Sequence, residues 1–317
     1  MSIKQKFLFV LSVCLYLAVA QTAAQTRITL NGKPKISSVA PSERSLTSTK
    51  YTKAEENRYL SYITGAYNKL LRDSVESARL LLLEATDLLP NHPANAEAFF
   101  QLGLISEKFE QYDDAAEYYR KATRINENLF KAHERRGMVN ILRNEYEAAL
   151  RDFSSFLALK PGNADAHFYR GYALQHLDRN QEAVAEYSKA AEADPRRTEA
   201  HTAIALIMSK QGKQEEAIAL MDKQILLHPN ESTLYSTRGS LLMEVERTQL
   251  ALYDFDQAIK FAPKDKACYI NRAMAYKRMG EDSLAETDFN KARALGADNN
   301  LIENARKTAQ LKGKVKK

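Results

Sequence analysis

Alanine recurs at positions 78, 115, 149, 183, 217, 251 and 285 of the 317-residue chain; the first interval is 37 residues and each later one is 34. A fixed period of this length restricts the fold to stacked supersecondary units. Each unit buries its apolar side against its neighbours and not in one central core. With these alanines at position 20 of a 34-residue unit, the units run 59–92, 96–129, 130–163, 164–197, 198–231, 232–265 and 266–299. Pro93-Ala94-Asn95 is an insert after the first unit and accounts for the longer interval.

Further columns keep the same register. Position 8 is always Gly or Ala (Ala66, Gly103, Gly137, Gly171, Ala205, Gly239, Ala273), and position 24 is always large (Leu82, Tyr119, Phe153, Tyr187, Met221, Phe255, Phe289). Small residues at 8 and 20 fit two antiparallel helices crossing closely about a turn near position 15, with the residue at 24 filling the space beside the crossing. Proline at position 32 (Pro90, Pro161, Pro195, Pro229, Pro263) ends the second helix of a unit. Position 7 is Arg in four units (Arg136, Arg170, Arg238, Arg272), and position 23 is acidic in the same four (Asp152, Glu186, Asp254, Asp288). The two positions lie symmetrically about the turn, so four ion pairs across hairpins are expected.

These columns resemble the tetratricopeptide repeat. The resemblance covers residues 59 to 299, with Tyr62, Phe99, His133, His167, His201, Tyr235 and Tyr269 where the family has tryptophan. It implies an all-α fold, a right-handed α-solenoid of seven helix-turn-helix units. Residues 300–317 follow as a capping helix and basic tail. It also implies that the first helix of each unit lines a concave groove.

The ends read differently. Lys4 and Lys6 precede an apolar run from Phe7 to about Ala20, with small-residue exits after Ala20 and Ala24. Residues 1–24 therefore read as a secretory signal peptide, and no other segment is apolar enough to span a membrane. Removal of the leader takes Cys14 with it and leaves Cys268 alone. Residues 25–53 read as a flexible basic linker, and Thr52-x-x-Glu55 as a capping box that starts the first helix. Of the net charge of +6, the leader holds +2, the linker +5 and residues 306–317 +6, so residues 54–305 carry −7. An acidic, exported repeat body is a poor match for nucleic acid. The expected location is the bacterial periplasm or cell surface, where the basic ends suit peripheral contact with membrane lipid or cell-wall polymer.

Positions 2, 5, 9 and 12 share one face of each first helix, edged by 6 and 13. In units one to four this face is apolar and aromatic, with Tyr67, Phe100, Leu104, Met138, Phe168, Tyr169 and Tyr172 among its members. In units five and six it is small and polar, and in unit seven it presents Asn271, Lys277 and Arg278. Such a face fits a peptide or helix of a protein partner. Packing against neighbouring units is the competing use of the same side chains. The family resemblance also implies a carboxylate contact at Lys131 and Arg135, although Gln101, Ile63 and Tyr67 depart from the other positions of that clamp. The chain has no Gly-rich phosphate loop, nucleophile elbow or Cys-x-x-Cys. His133, His167 and His201 sit in successive units, too far apart to share one metal ion. The expectation is a non-enzymatic scaffold without cofactor or metal. The second reading is an envelope-associated protein held by its basic tails.

Overall fold

A computed structural model describes residues 51–313. The leader, residues 25–50 of the linker and the last four residues lie outside them. The described chain is an all-α helical-repeat solenoid with no strand among those residues. Its contacts divide it into two compact units, one ending at Ala183 and one beginning at Val184.

In the N-terminal unit, α1 (Lys53–Leu71) and α2 (Val75–Leu88), α3 (Asn95–Lys108) and α4 (Tyr112–Ile125), and α5 (Phe130–Leu142) and α6 (Tyr146–Leu159) form hairpins. The second helix of each hairpin packs on the first of the next, ending on α7 (Ala164–His176). α8 (Asn180–Ala193) spans the boundary. In the C-terminal unit, α9 (Thr198–Lys210) pairs with α10 (Gln214–Leu227), α11 (Ser232–Glu244) with α12 (Thr248–Phe261), and α13 (Lys266–Met279) with α14 (Asp282–Ala294). α15 (Asn299–Gly313) lies on α13 and α14, burying Ile302, Ala305 and Ala309 against Tyr269, Ile270 and Met274.

Local chemistry explains the helix ends. The Thr52 hydroxyl accepts from the Glu55 N–H at 3.3 Å, and the Glu55 carboxylate accepts from the Thr52 N–H at 2.8 Å, a reciprocal cap. Asn163 caps α7 by accepting from the Ala166 N–H at 2.7 Å. Every turn at position 15 is left-handed: Asp73, Glu110, Asn144, Asp178 and Glu246 have φ between 54° and 63°, and Gly212 and Gly280 complete the column. A single residue of positive φ reverses the chain tightly between two helices, and Gly, Asn and Asp adopt it at least cost.

The core repeats with the period. Tyr119, Phe153, Phe255 and Phe289, all at position 24, are almost fully buried. The ring at 24 lies directly on the glycine at 8 where Gly103, Gly137 and Gly239 stand. A Cβ built on Gly137 would stand 2.9 Å from the Phe153 ring, and one on Gly239 would stand 2.7 Å from Phe255. Glycine at 8 thus makes room for the aromatic at 24 in units two, three and six, whereas unit seven combines Ala273 with Phe289 in one buried cluster. Ala66 and Ala205 face the slimmer Leu82 and Met221. The insert also acquires a role. Asn95 is wholly buried, accepts from the Tyr59 hydroxyl at 3.0 Å and donates to the Leu89 carbonyl at 2.7 Å.

Candidate functional site

The face carrying the candidate residues belongs to the first helices of the hairpins, and each unit holds its own part of it. In the N-terminal unit these are α1, α3, α5 and α7. Tyr67, on α1, is half-buried. Burial raises its hydroxyl above the ordinary tyrosine range, the Glu97 carboxylate adds to the rise, and Gln101 offers it a hydrogen bond. Leu104 and Met138 are half-buried, and Lys131 is exposed. Phe100 is only 7% exposed, with its ring 5.7 Å from that of Tyr119. Phe168, Tyr169 and Tyr172 are buried. Phe168 meets Tyr169 edge-on at 5.5 Å, Tyr169 stacks on Phe153 at 5.8 Å, and Tyr172 lies 4.4 Å from the His176 ring. Of these pairs, Tyr169–Phe153 joins two successive repeats, and the others lie within one helix or one hairpin.

Arg135 and Lys131 share a helix face but differ in circumstance. Arg135 donates from Nε to Glu107 Oε1 at 3.0 Å and from Nη2 to Oε2, a two-point pair between α5 and α3. The Tyr119 hydroxyl donates to the same Glu107 Oε1 at 2.5 Å. Burial opposes the Arg135 charge, and the Glu107 carboxylate outweighs it, so the guanidinium is held above its ordinary value. Arg135 therefore meets an internal carboxylate in the position from which the resemblance would have it hold a ligand's. Beside it, burial raises the Glu134 carboxyl; Arg135 and Lys131 pull it down and Asp165 pushes it up.

The C-terminal unit builds the equivalent face differently. α9 packs directly on α11, and α11 on α13. Thr202, Ser209, Thr237 and Ser240 are buried, as small side chains are when helices approach closely. Asn271 is also buried and donates to the Ser236 hydroxyl at 3.1 Å. Lys277 reaches Asp282 at 2.8 Å, and Arg278 donates to the Met243 carbonyl. These three side chains are thus engaged within the unit.

Several determinants escaped the sequence reading. Position 4 carries a donor that reaches the carbonyl six residues earlier. His133 Nε2 lies 3.0 Å from the Glu127 oxygen and His167 Nε2 2.9 Å from that of Pro161, while the Tyr235 and Tyr269 hydroxyls donate to Pro229 and Pro263 at 2.9 and 3.1 Å. The column of Tyr and His was the available signal. The position-7 arginines also reach further than expected. Arg136, Arg238 and Arg272 pair with Asp152, Asp254 and Asp288 across their hairpins. Each has a further arm to the preceding hairpin, at Thr123 (3.0 Å), Asp222 (2.6 Å) and Asp256 (2.7 Å). No helix among the described residues is long and apolar enough to cross a membrane.

Family models of the tetratricopeptide repeat match residues 96–129 and 143–197. Among solved structures, a tetratricopeptide repeat protein from Parabacteroides merdae aligns with a TM-score of 0.66 at 22% identity, covering 80% of this chain and 99% of its own. The Cut9–Hcn1 hetero-tetramer of the APC/C aligns at 0.54 with 14% identity, over 81% of this chain and 54% of the other. The pilF protein of Pseudomonas aeruginosa aligns at 0.52 with 18% identity, over 70% and 97%. No curated protein matches the sequence. At these identities the structural likenesses establish the fold.

Proposed function

Because the chain belongs to the tetratricopeptide-repeat family, we propose that it is a non-enzymatic scaffold that holds a segment of a protein partner. The bound segment lies against the first-helix face of the N-terminal unit. One observation carries this reading: Ile63, Tyr67, Leu70, Leu104 and Met138 are only half-buried on that face, while its C-terminal counterpart buries Thr202, Ser209 and Ser240 and offers only the small polar Thr233 and Ser236 half-buried. Half-exposed apolar groups on consecutive helices are what a peptide or helix needs to bury its own apolar side. The basic, apolar leader supports export to the periplasm or cell surface, where the scaffold assists assembly of an envelope complex. The basic ends supply a second reading, peripheral contact with lipid or wall polymer.

Site-specific photocrosslinking in cells tests the first reading. A photoreactive residue at Leu104 is expected to capture a discrete protein, and one at Leu80, exposed on α2, is not. Capture from both positions alike would refute a face-specific contact. Loss of envelope association on removing residues 306–317, with crosslinking from Leu104 intact, would favour the second reading.

A further inference from the structure

We propose that the segment held by the N-terminal unit is a cationic amphipathic one, whose lysines or arginines meet Glu97 and Glu134 while its apolar side covers Leu104 and Met138. This rests on the groove reading above and adds the chemistry of the partner.

Several charges on this face are already engaged within the protein. Arg135 is a cation of this face, and Glu107 takes its Nε and Nη2. Lys108, at the edge, reaches Asp73 at 3.0 Å. Lys131 remains as an exposed cation, against the carboxylates of Glu134 and of Glu97, which accepts from Gln101 Nε2 at 2.9 Å. The face is therefore acidic in balance, in keeping with the −7 of residues 54–305. Its apolar groups share successive first helices with these carboxylates: Glu97 and Leu104 are on α3, Glu134 and Met138 on α5.

Burial raises the Glu134 carboxyl, Arg135 and Lys131 offset part of that rise and Asp165 adds to it, so the carboxyl stays above its ordinary value and an arriving cation would stabilise its charge further. An acidic ligand would face the opposite balance and find Arg135 occupied. Methionine at the centre tolerates partners of varied shape, so the apolar contact selects little by sequence and the charges set the class.

The test uses the full mature chain and three labelled synthetic peptides: a helical amphipathic peptide with lysines on its polar side, the same peptide with glutamates there, and the lysine peptide scrambled to lose amphipathicity. Fluorescence anisotropy is expected to show binding of the lysine peptide alone, weakening as salt is raised. Glu97→Lys with Glu134→Lys should weaken it by about tenfold or more. Leu104→Asp with Met138→Asp should also weaken it. Circular dichroism of each variant should match the parent. No binding of the lysine peptide, or equal or tighter binding of the glutamate peptide, would overturn the proposal. Binding that needs Leu104 and Met138 but ignores the charge reversals would overturn this inference and leave the groove reading standing. Binding indifferent to both pairs would remove the groove reading as well. Dimerisation of the chain abolished by the same charge reversals would assign the face to a second copy and also overturn the proposal.

Discussion

Arg238 and Asp254 face each other across the α11–α12 hairpin in a two-point ion pair, Nε to Oδ2 at 2.8 Å and Nη2 to Oδ1 at 2.6 Å. The Asp254 side chain is 1% exposed and that of Arg238 is 19%. Burial raises the Asp254 carboxyl and Arg238 pulls it back; the two carboxylates around it hold Arg238 well above its ordinary value. A carboxylate this deep depends on its partner. Arg238→Leu is expected to cost about 3–5 kcal/mol in chemical denaturation, and adding Asp254→Leu should recover much of it. Simple additivity of the two substitutions would show that the pair is not coupled. The same cycle at Arg170 and Glu186 extends the test to the remaining pair expected from sequence.

Pairs such as this were legible because they repeat. Positions 7 and 23 change together along the chain, so a column reveals them. The third arm of Arg238 was not legible, because position 25 varies in type and only Asp222 and Asp256 place a carboxylate there. Arg135 with Glu107 occurs once, between positions 6 and 12 of adjacent units, and no column marks it. The helical face containing Phe168, Tyr169 and Tyr172 was readable from spacing. Their burial was not, since it depends on how closely other elements approach, as Phe153 does to Tyr169.

Glycine at position 8 has a steric test. Gly239→Ala places a Cβ against the Phe255 ring and should destabilise by about 1–3 kcal/mol, as overpacking does. Gly239→Ala with Phe255→Leu should lose less than the glycine substitution alone, because the slimmer side chain vacates the contact. A neutral Gly239→Ala in urea denaturation would contradict the close approach.

The left-handed turns predict a gain. Glu110 holds φ 58°, a conformation that costs a residue with a Cβ about 1–2 kcal/mol. Glu110→Gly is expected to raise the denaturation midpoint, by less than that figure because glycine also loosens the unfolded chain. A lowered midpoint would mean that the glutamate side chain contributes more than its backbone costs.

Acid sensitivity follows from two imidazoles. Burial lowers His92 and His201 below the ordinary histidine value. His92 Nδ1 accepts from the Ala94 N–H at 3.2 Å, which requires that nitrogen to be unprotonated. The unfolded chain then takes up protons before the folded one does. Stability is full above about pH 6.5 and is lost as pH falls through the depressed folded values. The fall in Tm between neutral and mildly acidic pH should shrink in His92→Gln with His201→Gln. An unchanged fall would place the acid sensitivity elsewhere.

The buried rings are poor probes of binding. Phe100→Ala, Phe168→Ala and Tyr172→Ala would open cavities and test stability first. Leu104 and Met138 are the better targets, being half-exposed on the same face. The most direct measurement is partner capture from envelope extract by the mature chain, beside a Leu104→Asp, Met138→Asp variant with unchanged circular dichroism. The account predicts a discrete protein retained by the parent and lost from the variant. Equal retention by both, or retention of lipid or wall polymer alone, would contradict it.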